Sequence, residues 1–173
     1  MKLLLAAAFT LGLNACASNG VEQYRNAQPV LDLRRYLNGR LDAWGMFQGR
    51  SGEVKKRFRV VIDAQWQGDT GVLDENFQWS DGTTSRRLWT LTRQPDGTFR
   101  GRADDVVGEA IGELAGNALR WRYVLALPVD GKIWHVDFDD WMYLIDDKVM
   151  INRAYMRKWG FNLGEVTLTF VKP

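Results

Sequence analysis

The chain has 173 residues, a formal charge of +2, and 46% hydrophobic against 25% charged residues. That length suits one domain able to bury roughly 68–70% of its unfolded surface without disulfides, and so small a positive excess gives no basis for a nucleic-acid partner. Eight Trp, eight Phe and five Tyr, with 17 Gly and only four Pro, suit strands wrapped round a large apolar interior.

The first element in chain order is a leader. Met1 and Lys2 supply a minimal positive start, and residues 3–13 are apolar except for Thr10 and Gly12. This stretch is shorter than the roughly 20 apolar residues a spanning helix needs, and it fits a secretory signal. It ends in Leu13-Asn14-Ala15-Cys16, which resembles the lipobox of bacterial lipoproteins. The resemblance implies a signal peptide of residues 1–15, cleavage before Cys16, and lipidation of that thiol. Two or three acyl chains would hold the mature protein firmly on a membrane. Cys16 is the only cysteine; acylation would remove the liability of a lone exported thiol. Ala17 follows, where an aspartate would resemble an inner-membrane retention signal, so an outer-membrane position facing the periplasm is expected.

Residues 16–28 are polar with little apolar periodicity and read as a lipidated tether, leaving 29–173 as the domain. Residues 29–38 carry a partial helical stripe (Val30, Leu31, Leu33, Tyr36, Leu37) that stops at Asn38-Gly39. From residue 40 the period becomes two. Phe58, Val60, Ile62, Ala64 and Trp66 alternate with Arg57, Arg59, Asp63 and Gln65; Leu73, Phe77 and Trp79 share one face, as do Trp89 and Leu91. Two further apolar faces run Leu119, Trp121, Tyr123, Leu125, Leu127 and Trp134, Val136, Phe138, Met142, Leu144. Such alternation predicts half-buried antiparallel strands.

Turn signals separate the runs: Asp81-Gly82, Asp96-Gly97, Gly116-Asn117, Asp130-Gly131 and Asp146-Asp147. Nine or ten strands follow one another with no intervening helix for a parallel crossover. So many twisted strands tend to curl and close, which also removes exposed edges. The expected fold is therefore all-β: an antiparallel up-and-down, lipocalin-like barrel with a short N-terminal helical segment. A two-sheet sandwich is the alternative. The charged outer faces, with Arg57, Arg59, Arg120 and Arg122, argue against an outer-membrane pore.

Several segments together resemble the DUF3833 family of uncharacterised bacterial lipoproteins. They are 43–47 (Ala-Trp-Gly-Met-Phe), 77–82 (Phe-Gln-Trp-Ser-Asp-Gly), 103–108 (Ala-Asp-Asp-Val-Val-Gly) and 139–143 (Asp-Asp-Trp-Met-Tyr). Segments 87–89, 116–123 and 151–154 also fit, so the resemblance spans about residues 30 to 171. It implies a lipocalin-like barrel and brings no established activity with it.

Polar residues on apolar faces are the candidates for function. Glu75 is in phase with Leu73 and Phe77, and Arg87 with Trp89 and Leu91. If Ser80-Asp81-Gly82 is a three-residue loop, residue 79 faces 83 and Glu75 faces Arg87. Asp140 is in phase with Trp134, Val136, Phe138 and Met142, unless Asp139-Asp140 marks a bulge. Asn152 or Arg153 falls inward on the next strand. Unpaired charges inside a barrel are too costly to persist, so these groups should pair with each other or with a ligand head. Arg87 and Arg153 could fork a carboxylate; Trp79, Trp89, Trp121 and Trp134 could line a channel for an acyl chain. The ligand-binding candidates are thus Glu75, Arg87, Trp89, Trp121, Trp134, Asp140 and Arg153.

Catalytic and metal signals are weak. His135, the only histidine, alternates with the apolar face of its strand and is expected to face solvent, which leaves no histidine-based triad. Asp104-Asp105 reads as a solvated rim turn, or a poor cation site. Gly108, Gly112 and Gly116 mark bends or close backbone approach. No cofactor, metal or catalytic residue is assigned. Three functions follow: a tethered barrel holding a fatty acid or other apolar ligand; a structural or assembly lipoprotein with a filled barrel; or a lipid-modifying enzyme using an interior carboxylate.

Overall fold

The structure is a computed structural model that describes residues 20–173. The expected signal peptide, the lipidation site Cys16 and the start of the tether lie outside the described residues. Ten strands follow in order: β1 (Gly39–Gly49), β2 (Val54–Gln67), β3 (Thr70–Trp79), β4 (Thr84–Arg93), β5 (Phe99–Arg102), β6 (Ala110–Ala115), β7 (Ala118–Val129), β8 (Lys132–Leu144), β9 (Val149–Lys158) and β10 (Phe161–Val171). Each pairs antiparallel with its neighbours in sequence, and β1 pairs with β10 from Asp42↔Val171 to Gly49↔Gly164. The meander is thus a closed up-and-down barrel, and the sandwich alternative is set aside.

The period-two pattern does what it promised. On β2, Phe58, Val60, Ile62 and Ala64 are buried while Arg57, Arg59, Asp63 and Gln65 face out. The outward charges pair mostly along diagonals between adjacent strands: Arg59 with Asp42 at 2.7 Å, Arg86 with Asp74 at 2.7 Å, Arg120 with Asp139 at 2.7 Å. The exposed pairs add little stability each, Arg120–Asp139 is half-buried, and all of them place charge on the outer wall. The turn residues also behave as their chemistry requires: Asp130 (φ 49°) and Gly131 (φ 75°) both take the left-handed conformation at the β7–β8 hairpin.

One end of the barrel is capped by the short helix α1 (Leu33–Tyr36). Asp32 starts it, its carboxylate accepting from the Arg34 and Arg35 amides at 3.1 and 3.3 Å. Leu33, Tyr36 and Leu37 are buried under it. The Tyr36 hydroxyl donates to the Lys148 carbonyl at 3.0 Å, and the Trp66 indole N–H donates to the Leu37 carbonyl at 2.6 Å, so the β8–β9 turn and β2 hold the cap. The chain before it is no free tether from Gly20 onward. Val21–Tyr24 forms a 3₁₀ turn with Val21 buried, and Tyr24 sets its ring edge-on to Trp141 and Tyr143 on the outer wall. The Leu31 amide donates to the Gly116 carbonyl at 2.8 Å. This segment therefore docks beside the β6–β7 turn, at the capped end.

Gly112 explains itself through Trp121. A Cβ on Gly112 would lie 2.4 Å from Trp121 Cε3, and one on Gly101 would lie 2.3 Å from its Cζ2. Two bare backbones on β5 and β6 thus make the slot in which the Trp121 ring lies. Gly112→Ala should lower stability by about 1–3 kcal/mol through overpacking, measured by urea denaturation. Gly20→Ala, where nothing stands within 4 Å of the new carbon, should be neutral.

Candidate functional site

The barrel is hollow. A cavity of about 540 Å³ runs from Leu33 and Leu37 at the cap, past Trp89 and Trp121, to Lys56, Trp79, Ser85 and Arg86 at the opposite end, which we term the mouth. Its wall is mainly aliphatic and aromatic. The aromatic rings interlock: Trp89 meets Trp121 and Tyr123 edge-on at 5.8 and 5.5 Å, Tyr123 stacks on Phe138 at 5.0 Å, and Phe77 stacks on Trp79 at 5.5 Å. Such rings present broad, stiff apolar surface to anything inside.

One polar cluster interrupts this wall. The β3–β4 register pairs Glu75 with Arg87, as the three-residue loop requires, yet Glu75 is not the carboxylate that grips Arg87. Arg87 Nε and Nη2 donate to the Asp105 carboxylate at 3.0 and 2.6 Å. Asp104 and Asp105 lie in a turn with Asp104 exposed, as expected, but the Asp105 side chain also serves as part of the wall. β5 and β6 are short, so β4 above Thr90 and β7 beyond Arg122 have no strand between them. Residues 103–109 fill that gap. The Val107 amide donates to the Val124 carbonyl and the Ala126 amide to the Asp105 carbonyl, each at 2.8 Å. The Arg87–Asp105 fork then fastens the loop to β4, closing the wall by a side-chain pair where strands run out.

Asp140 and Asn152 are the buried polar residues of the described core. The β7–β8 register runs unbroken through Arg122↔Asp139 and Trp121↔Asp140, so no bulge turns Asp140 outward. Asp140 Oδ2 accepts from the Tyr123 hydroxyl at 3.5 Å and the Asn152 amide at 3.4 Å; Oδ1 accepts no hydrogen bond among the described residues. Burial is the main cause that raises the Asp140 carboxyl from 3.8 to about 7, against the pull of Asn152 and Arg87. Burial likewise raises Glu75 from 4.5 to about 7, with Arg87 opposing and Asp105 adding repulsion. Glu75 retains some accessible surface although protein surrounds it, and it lines the cavity, so we read that surface as facing inward. Tyr123 sits amid all of these and is also pushed up, chiefly by burial.

Glu75, Arg87, Trp89, Trp121 and Asp140 all line the cavity. Two other expected residues do not. Arg153 points outward and pairs with Glu165 at 2.7 Å, because Asn152 takes the inward phase on β9. Trp134 has the inward phase but lies above the rim, 38% exposed, with the Lys158 ammonium 5.0 Å from its ring centroid. Periodicity tells inward from outward, not where along a strand the barrel ends. Sequence reasoning also misses Tyr123, which reads only as apolar, and Asp105, whose partner lies 18 residues away on β4. His135 is exposed at the barrel surface.

The two raised carboxyls set a sign for stability. The folded state keeps protons on Glu75 and Asp140 that the unfolded chain releases near their ordinary values of 4.5 and 3.8. Their contribution is largest below that range and is lost as pH rises to about 7, then stays flat. Carboxyls lowered by hydrogen bonding, such as Asp74 from Arg86, act in the opposite sense at more acid pH. Urea unfolding should therefore show the domain more stable at pH 5 than at pH 8, by on the order of a few kcal/mol. The double variant Glu75→Gln, Asp140→Asn should flatten that difference; a slope that persists unchanged would contradict the assignment.

Comparison with known proteins gives a family whose description assigns no function. No curated protein matches the chain. Among solved structures, a de novo designed fluorescence-activating beta barrel aligns at 13% identity with a TM-score of 0.44, covering 83% of this chain and 99% of its own. The family described as Protein of unknown function (DUF3833) matches residues 10–172. That match takes in every strand of the barrel, and the chain belongs to the DUF3833 family.

Proposed function

We propose that this protein is a lipid-anchored carrier that holds a long apolar molecule, a fatty acid or a close analogue, inside its barrel. The observation that carries the reading is the cavity: about 540 Å³, mostly apolar, with one polar cluster on its wall. Ligand sites commonly have volumes of roughly 300–1,000 Å³ and this same balance of surface. A barrel serving only as a structural module would gain stability by filling such a space with side chains. The leader ending at Cys16 supports the anchor, and Ala17 supports an outer-membrane position facing the periplasm.

The polar cluster narrows how a fatty acid enters. Arg87 is already forked by Asp105, and Glu75 and Asp140 add two more carboxyls beside it. Above about pH 7, where Glu75 and Asp140 give up their protons, an ionised fatty carboxylate meets three like charges for one guanidinium, so it should enter with a proton. Uptake should rise as pH falls from 8 to 5.5, whereas a fatty alcohol of equal length should show little pH dependence. Titration of the full chain carrying Cys16→Ser, which keeps the anchor out of the assay, tests this by following tryptophan fluorescence. Native mass spectrometry of the same chain from cells should reveal a bound apolar molecule. Ala154→Trp and, separately, Leu168→Phe, each placed to fill part of the cavity, should weaken uptake. A chain that binds neither acid nor alcohol would sink the carrier reading. Palmitate labelling of the unaltered chain, lost on Cys16→Ser, tests the anchor separately.

The raised carboxyls favour a second reading, an enzyme that uses Glu75 or Asp140 as acid or base on a bound lipid. It predicts that the molecule co-purifying with Asp140→Asn differs in covalent structure from that held by the unaltered chain. An identical molecule in both would leave carriage alone.

A further inference from the structure

The tips of the β7–β8 and β9–β10 hairpins rise above the mouth and carry apolar side chains the fold does not use. Trp159 is 82% exposed, Phe161 73%, Ile133 63% and Trp134 38%. These form a crest on neighbouring strands, since β8 pairs with β9 and β9 with β10. The Lys158 ammonium lies 5.0 Å from the Trp134 ring centroid and 4.7 Å from that of Trp159, and it donates to the His135 carbonyl at 3.1 Å. Neither Lys158 nor Lys132 forms an ion pair with a carboxylate among the described residues.

The backbone adds an independent sign. Trp159 has φ 51°, in the left-handed region, followed by Gly160 at φ 80°. A bulky residue there is a genuine outlier, and asparagine or glycine would suit the turn better. The fold gains almost no burial from this indole, so the strain is retained for something outside the molecule.

We infer that this crest docks on an anionic phospholipid surface and sets the mouth against it, so that an apolar ligand passes between bilayer and barrel. Tryptophan and phenylalanine beside lysine suit the boundary between headgroups and acyl chains, where rings are half immersed and ammonium groups reach phosphates. The crest stands at the opposite end from Gly20, which enters beside the cap. A lipid on Cys16, four residues earlier, could reach no more than about 14 Å beyond Gly20. An upright barrel held by that anchor turns its crest away from the anchoring membrane, toward a second lipid surface. Ligand passage rests on the carrier reading; the adhesion itself does not.

The test is flotation of the full chain carrying Cys16→Ser with vesicles of phosphatidylethanolamine and phosphatidylglycerol. The chain should float with the vesicles, less so in high salt. Adding Trp159→Asn and Phe161→Ser should weaken adhesion about tenfold or more, while Trp44→Ser, an exposed aromatic on the outer wall, should leave it unchanged. Because Trp159→Asn relieves the turn, the unfolding midpoint should hold or rise, so lost adhesion is not lost folding. Absence of flotation, or adhesion indifferent to the crest, would overturn the proposal. So would a dimer in sedimentation that the crest substitutions split, since the occupant would then be a second copy. Uptake of fatty alcohol from solution should survive the crest substitutions. Uptake without adhesion sinks this proposal alone; adhesion without uptake sinks the carrier reading and leaves the docking surface standing.

Discussion

Everything in this molecule depends on the pairing of β1 with β10, the ladder that joins the two ends of the meander. It joins residues 115 to 129 apart in sequence, from Gly49↔Gly164 to Asp42↔Val171, so its loop-closure entropy must be met by all that closure achieves. Without it both terminal strands would offer unpaired edges to other chains, and the inward faces of ten strands would share no interior. The cap formed by α1 depends on the same closure: Tyr36 reaches the Lys148 and Phe170 carbonyls, and the Lys172 ammonium reaches the Arg35 carbonyl at 2.8 Å. Chain start and chain end are held by one another.

Closure leaves one weakness. Short β5 and β6 cannot span the height of the wall, and a loop takes over where they stop. That loop is fixed by two backbone hydrogen bonds to β7, which make the bridge Val106↔Leu125, and by Arg87 gripping Asp105 from β4. A partly buried ion pair here does two jobs. It closes the wall, and it occupies the guanidinium that would otherwise be the obvious site for an anionic ligand. Glu75 and Asp140 are left without a cation of their own, which is why burial governs both and holds them near neutrality. The electrostatics of the cavity follow from this choice of partner.

The wall is also uneven along its rim. On one side the lining ends at exposed polar residues, Ser85 and Arg86; on the other the hairpins continue upward and carry aromatic rings into solvent. A fold optimised only for stability would place Asn-Gly at the β9–β10 turn and polar residues at Phe161 and Ile133. The asymmetry gives the barrel a distinguishable top, opposite the end at which the chain enters.

The sequence by itself determined the barrel. Alternation on β2, β7 and β8 fixed which face is buried, and turn residues such as Asp130-Gly131 fixed where strands reverse. The three-residue loop at 80–82 even fixed the register that sets Glu75 across from Arg87. These are local properties, encoded in neighbours two to ten residues apart. The sequence also carried the phase of Asp140. Tertiary structure decided the rest. It chose Asp105 over Glu75 as the partner of Arg87, lifted Trp134 clear of the cavity, turned Arg153 outward, and left the interior hollow. Each of these depends on where distant strands end relative to one another and on how much volume their side chains jointly fill. No periodicity along one strand carries that information, because height in a closed barrel is set by the stagger of all ten strands together.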